Sequence, residues 1–317
     1  TDPTHTSARP AITSRLASLP TLTGATPSIS RAALWMAGWL SLMVVLAIVG
    51  RGVTRQLPVF QVMEVRSLLG LVMLAPLVQA AGGMRAMHTA FIGRHVARNV
   101  IHYAAQYGWF VALTLIPLAQ LVSIEFTMPL WTALLAAAFL AERLTTRKVL
   151  AVFVGLVGVA VIVRPTAGTI APGQVIALVA AVGFAVSVVL VKSLTRTDSA
   201  VAIIFWMLIV QSVVGLVPAL WTWQWPSPAT WAGLVVIAFC GTFSHYCMTR
   251  AMRHADATVV IPMDFLRVPL TAIAAWLVYA EAVDTWTMLG ATLILGANAL
   301  NLLRRPLAPS AGLPAIR

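Results

Sequence analysis

Apolar runs long enough to cross a bilayer follow one another along almost the whole chain. They fall near 32–50, 58–80, 98–116, 118–141, 147–164, 172–192, 201–222, 230–250, 257–280 and 286–303. A helix rises 1.5 Å per residue, so about twenty apolar residues span the ~30 Å hydrocarbon core. The pattern predicts an all-α integral membrane protein of ten transmembrane helices, with both termini on one side. Residues 1–30 break the pattern. They are rich in Thr, Ser, Pro and Arg with one acid, Asp2, and predict a disordered cytoplasmic tail. Residues 306–317 form a second, short cytoplasmic tail.

The polar positions between the runs set the orientation. Of the 21 Lys and Arg, 16 fall in segments on the side of the N-terminus. Arg51, Arg55 and Arg164 fall on the other side, and Arg66 and Arg267 lie inside apolar runs. This asymmetry predicts N-in/C-in topology. Composition agrees: the chain is 60% hydrophobic and 9% charged, where a soluble domain carries about a quarter charged residues. The net charge of +12 does not point to nucleic acid, because the bases cluster in short loops and are not interleaved with aromatics. Cys240 and Cys247 share one apolar run and offer neither a disulfide framework nor metal-ligand spacing.

The chain repeats itself at an offset of 139 residues. Tyr107 meets Tyr246, Ala112 meets Ala251, and Glu125-Phe126 meets Asp264-Phe265. Thr132-Ala133 meets Thr271-Ala272, Ala136 meets Ala275, and Ala141-Glu142 meets Ala280-Glu281. The matched alanines carry little weight, whereas matched acids inside apolar runs are rare. Pro129 and Pro269 fall one residue out of register. The repeats span residues 31–165 and 171–305, with five helices each. An odd number places the second repeat upside down relative to the first, the inverted construction of many secondary transporters.

The segment PLAQLVSIEFTMPLWTALLAAAFLAERLTTRKVLAVFVGLVGVAVIVRP (117–165) resembles the end of an EamA domain. There a helix ending in Glu-Arg leads through a basic loop to a Gly-rich helix closed by Arg-Pro. DFLRVPLTAIAAWLVYAEA (264–282) is a looser copy that departs at Ala282, where the pattern has a base. Over about residues 32–305 the chain resembles EamA-type transporters of the drug/metabolite transporter superfamily. The resemblance implies a bundle around a central cavity lined mainly by helices 1, 3, 4, 6, 8 and 9. It implies export of amino acids and other metabolites, or uptake of compounds such as S-adenosylmethionine and riboflavin.

An ionisable side chain at bilayer depth costs at least ~2.5–3.5 kcal/mol, so each is a functional candidate. Five qualify: Glu64, Arg66, Glu125, Asp264 and Arg267. Glu125 and Asp264 occupy equivalent places and, with the halves inverted, are expected toward opposite faces. They either bind a cationic group or exchange a proton, or they form fixed ion pairs with Arg66 or Arg267. Asp264 and Arg267 share a helix face at i, i+3. Glu64 and Arg66 lie roughly 200° apart around a helix and do not pair directly. Arg66 is placed to meet Glu125 across helices or to hold a substrate carboxylate.

His102, Gln106 and Trp109 follow i, i+4, i+7 spacing, with Tyr103 and Tyr107 beside them; Tyr246, next to His245, mirrors part of this face. Such a face either stacks and hydrogen-bonds a planar or zwitterionic ligand, or makes interhelical hydrogen bonds worth ~0.6 kcal/mol each. Glu142 and Glu281 sit at helix ends and read as structural, as do Gly155 and Gly158 at close helix packing. The chain holds no P-loop, no H-E-x-x-H and no G-x-S-x-G, which argues against ATP-driven and enzymatic readings. The expectation is a secondary transporter of the bacterial inner membrane without cofactor. It moves an amino acid or aromatic heterocycle by alternating access, with export favoured and protons as a possible coupling ion. A non-transporting receptor is the remaining alternative.

Overall fold

The computed structural model describes residues 28–140, 146–164, 170–194, 197–255, 260 and 263–302. The two terminal tails expected from the sequence, and the structural role expected of Glu142, lie outside these residues, apart from positions 28–30. Among the described residues eleven α-helices run in chain order: α1 Ile29–Thr54, α2 Val59–Ala80, α3 Ile92–Leu115, α4 Leu118–Glu125, α5 Met128–Leu140, α6 Thr146–Val163, α7 Pro172–Leu194, α8 Ala200–Trp221, α9 Pro228–His254, α10 Arg267–Tyr279 and α11 Thr285–Leu302. A single 3₁₀ turn, Gly83–Met87, follows α2.

Local sequence sets where these helices start. Ser28, Ser199 and Ser227 accept from the amides of Arg31, Ala202 and Thr230 at 3.4, 3.1 and 3.2 Å. Each hydroxyl satisfies a donor that has no partner inside its helix. Pro228 follows its cap at the first helical position, where a missing N–H costs nothing. Helix α3 begins at Ile92, six residues ahead of the apolar run. The polar residues Arg94, His95 and Arg98 lower hydropathy there without breaking the helix, and His95 and Arg98 are buried against the bundle.

The run expected as one helix over 118–141 is instead broken. Glu125 ends α4, Phe126 and Thr127 form a turn, and α5 starts at Met128. Pro129 explains the break: a continuous helix would need its absent N–H to reach the Glu125 carbonyl. The carbonyl of Phe126 that the break leaves free accepts from Asn298 Nδ2 of α11 at 2.7 Å. The second repeat breaks at the matching place. Met263 and Asp264 are helical, Phe265 and Leu266 turn, and Arg267 opens α10, with Pro269 two residues on.

Helix pairing is unchanged when the repeats are exchanged. Helix α1 packs on α9, and its counterpart α7 packs on α3. Two pairings map onto themselves: α2 on α8 and α6 on α11. The α6–α11 crossing is close because Gly158 and Gly290 face each other. A Cβ at Gly158 would lie 2.8 Å from the Gly290 carbonyl oxygen, and one at Gly290 2.6 Å from that of Gly158. Gly155 likewise leaves room for Leu130. The largest core cluster runs through Phe110, Leu113, Leu121, Ile124 and Ile294. Val72, Phe153, Val213, Val217, Ile273 and Leu277 are exposed, an apolar exterior that only lipid solvates well. Six stretches among the described residues are long and apolar enough to cross a membrane, and three further apolar helices are shorter.

Candidate substrate site

The two helix breaks bring Glu125 and Asp264 together. Arg267 Nη1 donates to Glu125 Oε1 at 2.8 Å, and its Nη2 reaches Asp264 Oδ2 at 3.5 Å. Rather than lying toward opposite faces, the matched acids converge on one guanidinium. The reason is the break: it puts each acid at a helix end, where the two breaks meet. The aromatic neighbours mark that meeting. Phe126 and Phe265 meet edge to face with centroids 5.7 Å apart, and the Arg267 guanidinium sits 4.7 Å from the Phe126 ring centre. Each acid also takes an indole N–H. Trp39 Nε1 donates to Asp264 Oδ1 at 2.6 Å, and Trp109 Nε1 donates to Glu125 Oε2 at 2.8 Å. The five side chains form one chain of charge-assisted hydrogen bonds across the bundle. It holds two carboxyls against one base, all at most 13% exposed.

A second polar group lies between α2, α3, α8 and α9. Glu64 and Arg66 are each 2% exposed, and they project to different neighbours as their spacing requires. Arg66 does not meet Glu125. Its Nη1 donates to Gln211 Oε1 at 3.4 Å, and its Nε would lie 2.5 Å from a Cβ on Gly241. Glu64 points toward α8. A Cβ on Gly215 would lie 2.7 Å from Glu64 Oε2 and 2.6 Å from the Tyr103 hydroxyl. Neither Glu64 oxygen has a hydrogen-bond partner among the described residues, nor does the Tyr103 hydroxyl.

The polar face expected on the third run divides among several partners. His102 Nδ1 lies 3.2 Å from Ser187 Oγ on α7 and packs against Phe184. Tyr107 stacks on Phe60 of α2 with centroids 4.3 Å apart. Trp109 reaches Glu125, and Gln106 is buried with Oε1 lacking a partner among the described residues. Tyr246 meets Trp35 edge to face at 5.9 Å, with the Arg250 guanidinium over both rings. Trp39, Gln211 and Gly215 were not apparent as site residues in the sequence. Among the described residues no three His, Cys, Asp or Glu gather as a metal site.

One end of the bundle carries a further cluster. Charge patterning placed Arg51 in a loop, but it lies inside α1 at 1% exposure. Its guanidinium donates to the carbonyls of Leu113 and Ile116 and pairs with Glu281. Burying the base is tolerable because carbonyls and a carboxylate take up its donors. Ala280 closes α10 at φ 53°, which turns the chain so that Glu281 Oε2 also accepts the Leu118 amide at 3.0 Å. Beside this cluster, Pro117, Gln120, Arg164, Glu281, Asp284 and Thr287 line a cavity of about 340 Å³.

Comparison with known proteins gives this geometry a family. The model of the EamA-like transporter family matches residues 30–164 and again residues 171–303. A riboflavin transporter of Brucella anthropi is 32% identical over 240 residues, covering 73% of this chain and 83% of its own. An S-adenosylmethionine uptake transporter of Rickettsia prowazekii is 28% identical over 75% of this chain and 81% of its own. A pseudopaline exporter of Pseudomonas aeruginosa is 27% identical over 76% and 85%. A solved crystal structure superposes over 86% of this chain and 97% of its own with a TM-score of 0.62 at 20% identity, a likeness of fold. This chain belongs to the EamA-like transporter family of the drug/metabolite transporter superfamily, and it is a multi-pass protein of the bacterial inner membrane that transports a small metabolite.

Proposed function

We propose that the chain is an alternating-access secondary carrier for a cationic or zwitterionic metabolite bearing a planar ring, bound between Glu125, Asp264 and Arg267. The observation that carries this reading is the charge balance: one buried arginine faces two buried carboxyls. With both acids ionised the group holds one net negative charge at membrane depth, which an incoming cation offsets. Trp39 and Trp109 each hold one acid by an indole N–H. Phe126 lies against the Arg267 guanidinium and meets Phe265 edge to face, which places aromatic surface beside the acids.

The mechanism follows from ten membrane crossings in two inverted repeats, N-in and C-in, with boundaries near 31–165 and 171–305. Helix pairing that survives exchange of the repeats supports this arrangement. In it, each broken helix joins a half to the axis, so rocking one repeat against the other opens the site to alternate faces. S-adenosylmethionine, a sulfonium cation with a purine ring, matches the negative group better than uncharged riboflavin. The relative that carries this cation is named for uptake, so uptake is preferred to the export expected from the sequence, and the exporter among the relatives supports export as the second reading.

The test is counterflow in proteoliposomes preloaded with unlabelled compound, using labelled S-adenosylmethionine and labelled riboflavin separately. Saturable exchange of the first, lost in Glu125→Gln and Asp264→Asn, supports the reading. Exchange of riboflavin alone, unaffected by either variant, sinks the cationic assignment. Secretion of an endogenous compound from cells expressing the intact protein would establish export.

A further inference from the structure

We propose that Glu64 binds a proton at the seam between the two repeats and that this seam closes only while the proton is held. The inference rests on the carrier reading above but concerns a separate place in the bundle.

Glu64 is 2% exposed, and neither of its oxygens has a hydrogen-bond partner or a base within ion-pair distance among the described residues. A carboxylate in that state at membrane depth is prohibitively unstable, so the group either holds a proton or takes a cation. The donor set is too small for a metal cation. Beyond the two Glu64 oxygens, the polar atom that meets the same Gly215 position is the Tyr103 hydroxyl, where a hard cation takes six or more oxygens. A proton needs only one oxygen. Glycine at 215 makes the place possible, since any side chain there would collide with both Glu64 Oε2 and the Tyr103 hydroxyl.

The location ties the proton to motion. Glu64 lies on α2 and Gly215 on α8, and these helices pack on each other across the boundary between repeats. Among the charged and titratable groups on the helices packed against α2, Tyr103 of α3 stands beside Glu64, since both meet the Cβ position of Gly215; Arg98 and His102 of α3 and His245 of α9 cluster with Arg66 of α2 itself, and α8 contributes the uncharged Gln211 and Ser212. Arg66 is turned away onto Gln211 and Gly241. When the repeats rock apart at this seam, water reaches the carboxyl and takes the proton. When they close, the site readmits only the neutral form. Deprotonation leaves a carboxylate that resists closure, so the carrier, loaded or empty, changes face only with Glu64 protonated.

The experiment is difference infrared spectroscopy of the purified full chain in nanodiscs, titrated from acid to alkaline pH without substrate. A protonated-carboxyl band should persist at neutral pH and disappear at higher pH. It should be absent in Glu64→Gln and retained in Glu125→Gln. A band unchanged in Glu64→Gln overturns the proposal. Should Glu64→Gln fail to fold, Tyr103→Phe replaces it: a shift in the titration midpoint of the band supports the proposal, and no shift overturns it. In proteoliposomes that exchange substrate, wild-type counterflow should fall at least tenfold as pH rises through the loss of the band, while Glu64→Gln keeps its counterflow at every pH. Loss of counterflow in Glu64→Gln at every pH would return Glu64 to the substrate site and overturn the proposal. Because the infrared readout needs no substrate, it can fail while the carrier reading stands, and the reverse.

Discussion

The rings of Phe126 and Phe265 meet edge to face 5.7 Å apart although 139 positions separate them, the same offset that aligns the two halves of the chain. The contact joins matched positions of the two matched halves where the two helix breaks meet. Everything ionic in the first polar group lies within one residue of a break or hydrogen-bonds to a residue that does.

Removing Arg267 should be the most damaging single change in that group. Taking away one partner of a buried ion pair costs ~3–5 kcal/mol because the remaining charge is left unpaired. Arg267→Gln is expected to lower the unfolding temperature in detergent and to abolish transport. Arg267→Gln combined with Asp264→Asn should recover much of the stability and none of the transport. Thermal unfolding of the three proteins checks this, and equal stability of Arg267→Gln and wild type would contradict it.

Trp39→Phe and Trp109→Phe each delete one hydrogen bond to a carboxylate while keeping an aromatic ring. A bond to a charged group contributes ~1.5–3 kcal/mol. Each variant is expected to weaken substrate binding by roughly ten- to a hundredfold with the fold preserved. Binding titration beside circular dichroism would separate that outcome from simple unfolding.

Much of this site is legible in the sequence, and the rest is hidden for definable reasons. Matched acids in apolar runs point to Glu125 and Asp264, and i, i+3 spacing points to the Arg267–Asp264 contact. The convergence of the acids is not readable by periodicity, because no glycine or polar cluster marks the breaks. The sign lies in Pro129 and Pro269, each shortly after its acid, where a missing N–H interrupts the ladder. Trp39 escapes notice because an indole in an apolar helix reads as core or lipid-facing until its N–H finds an acceptor 225 residues away. Arg51 is misplaced because a base at the end of an apolar run usually marks a loop, and only the fold brings Glu281 and two carbonyls to it.

Asp198, in the connection between α7 and α8, gives a pH dependence with a definite sign. Burial alone raises its pKa, but hydrogen bonds from His95 at 2.6 Å and Thr89 at 2.8 Å outweigh burial and hold it below the ordinary carboxylate value. A carboxyl depressed in the folded state contributes stability above its unfolded pKa of about 3.9, and loses it as pH falls through the lower folded value. Asp198→Asn should therefore unfold at lower temperature than wild type at neutral pH, with the gap closing below about pH 4. A gap that stays constant down to acid pH would show that the charge is irrelevant.

At the α6–α11 crossing, Gly158→Val should force the helices apart. A side chain there meets the Gly290 carbonyl oxygen and Ile294, and overpacking of this kind costs ~1–3 kcal/mol. The expected result is a lower unfolding temperature with substrate affinity nearly unchanged, since neither polar group touches this crossing. A large loss of affinity without loss of stability would argue against it.

The Arg51–Glu281 pair also has a consequence for synthesis. Arg51 enters the membrane with α1, and its carboxylate partner is 230 residues further along the chain. At about 5–20 residues per second, roughly ten to fifty seconds pass before Glu281 emerges from the ribosome. For that interval an arginine sits in a newly inserted helix without its counter-ion, at a cost that its position near the helix end keeps small. The long apolar stretch of α1, with a mean hydropathy of 2.2, holds the helix in the bilayer meanwhile. Docking of the chain that follows α10 then retires the charge, so a residue made 230 positions later locks α1 in place.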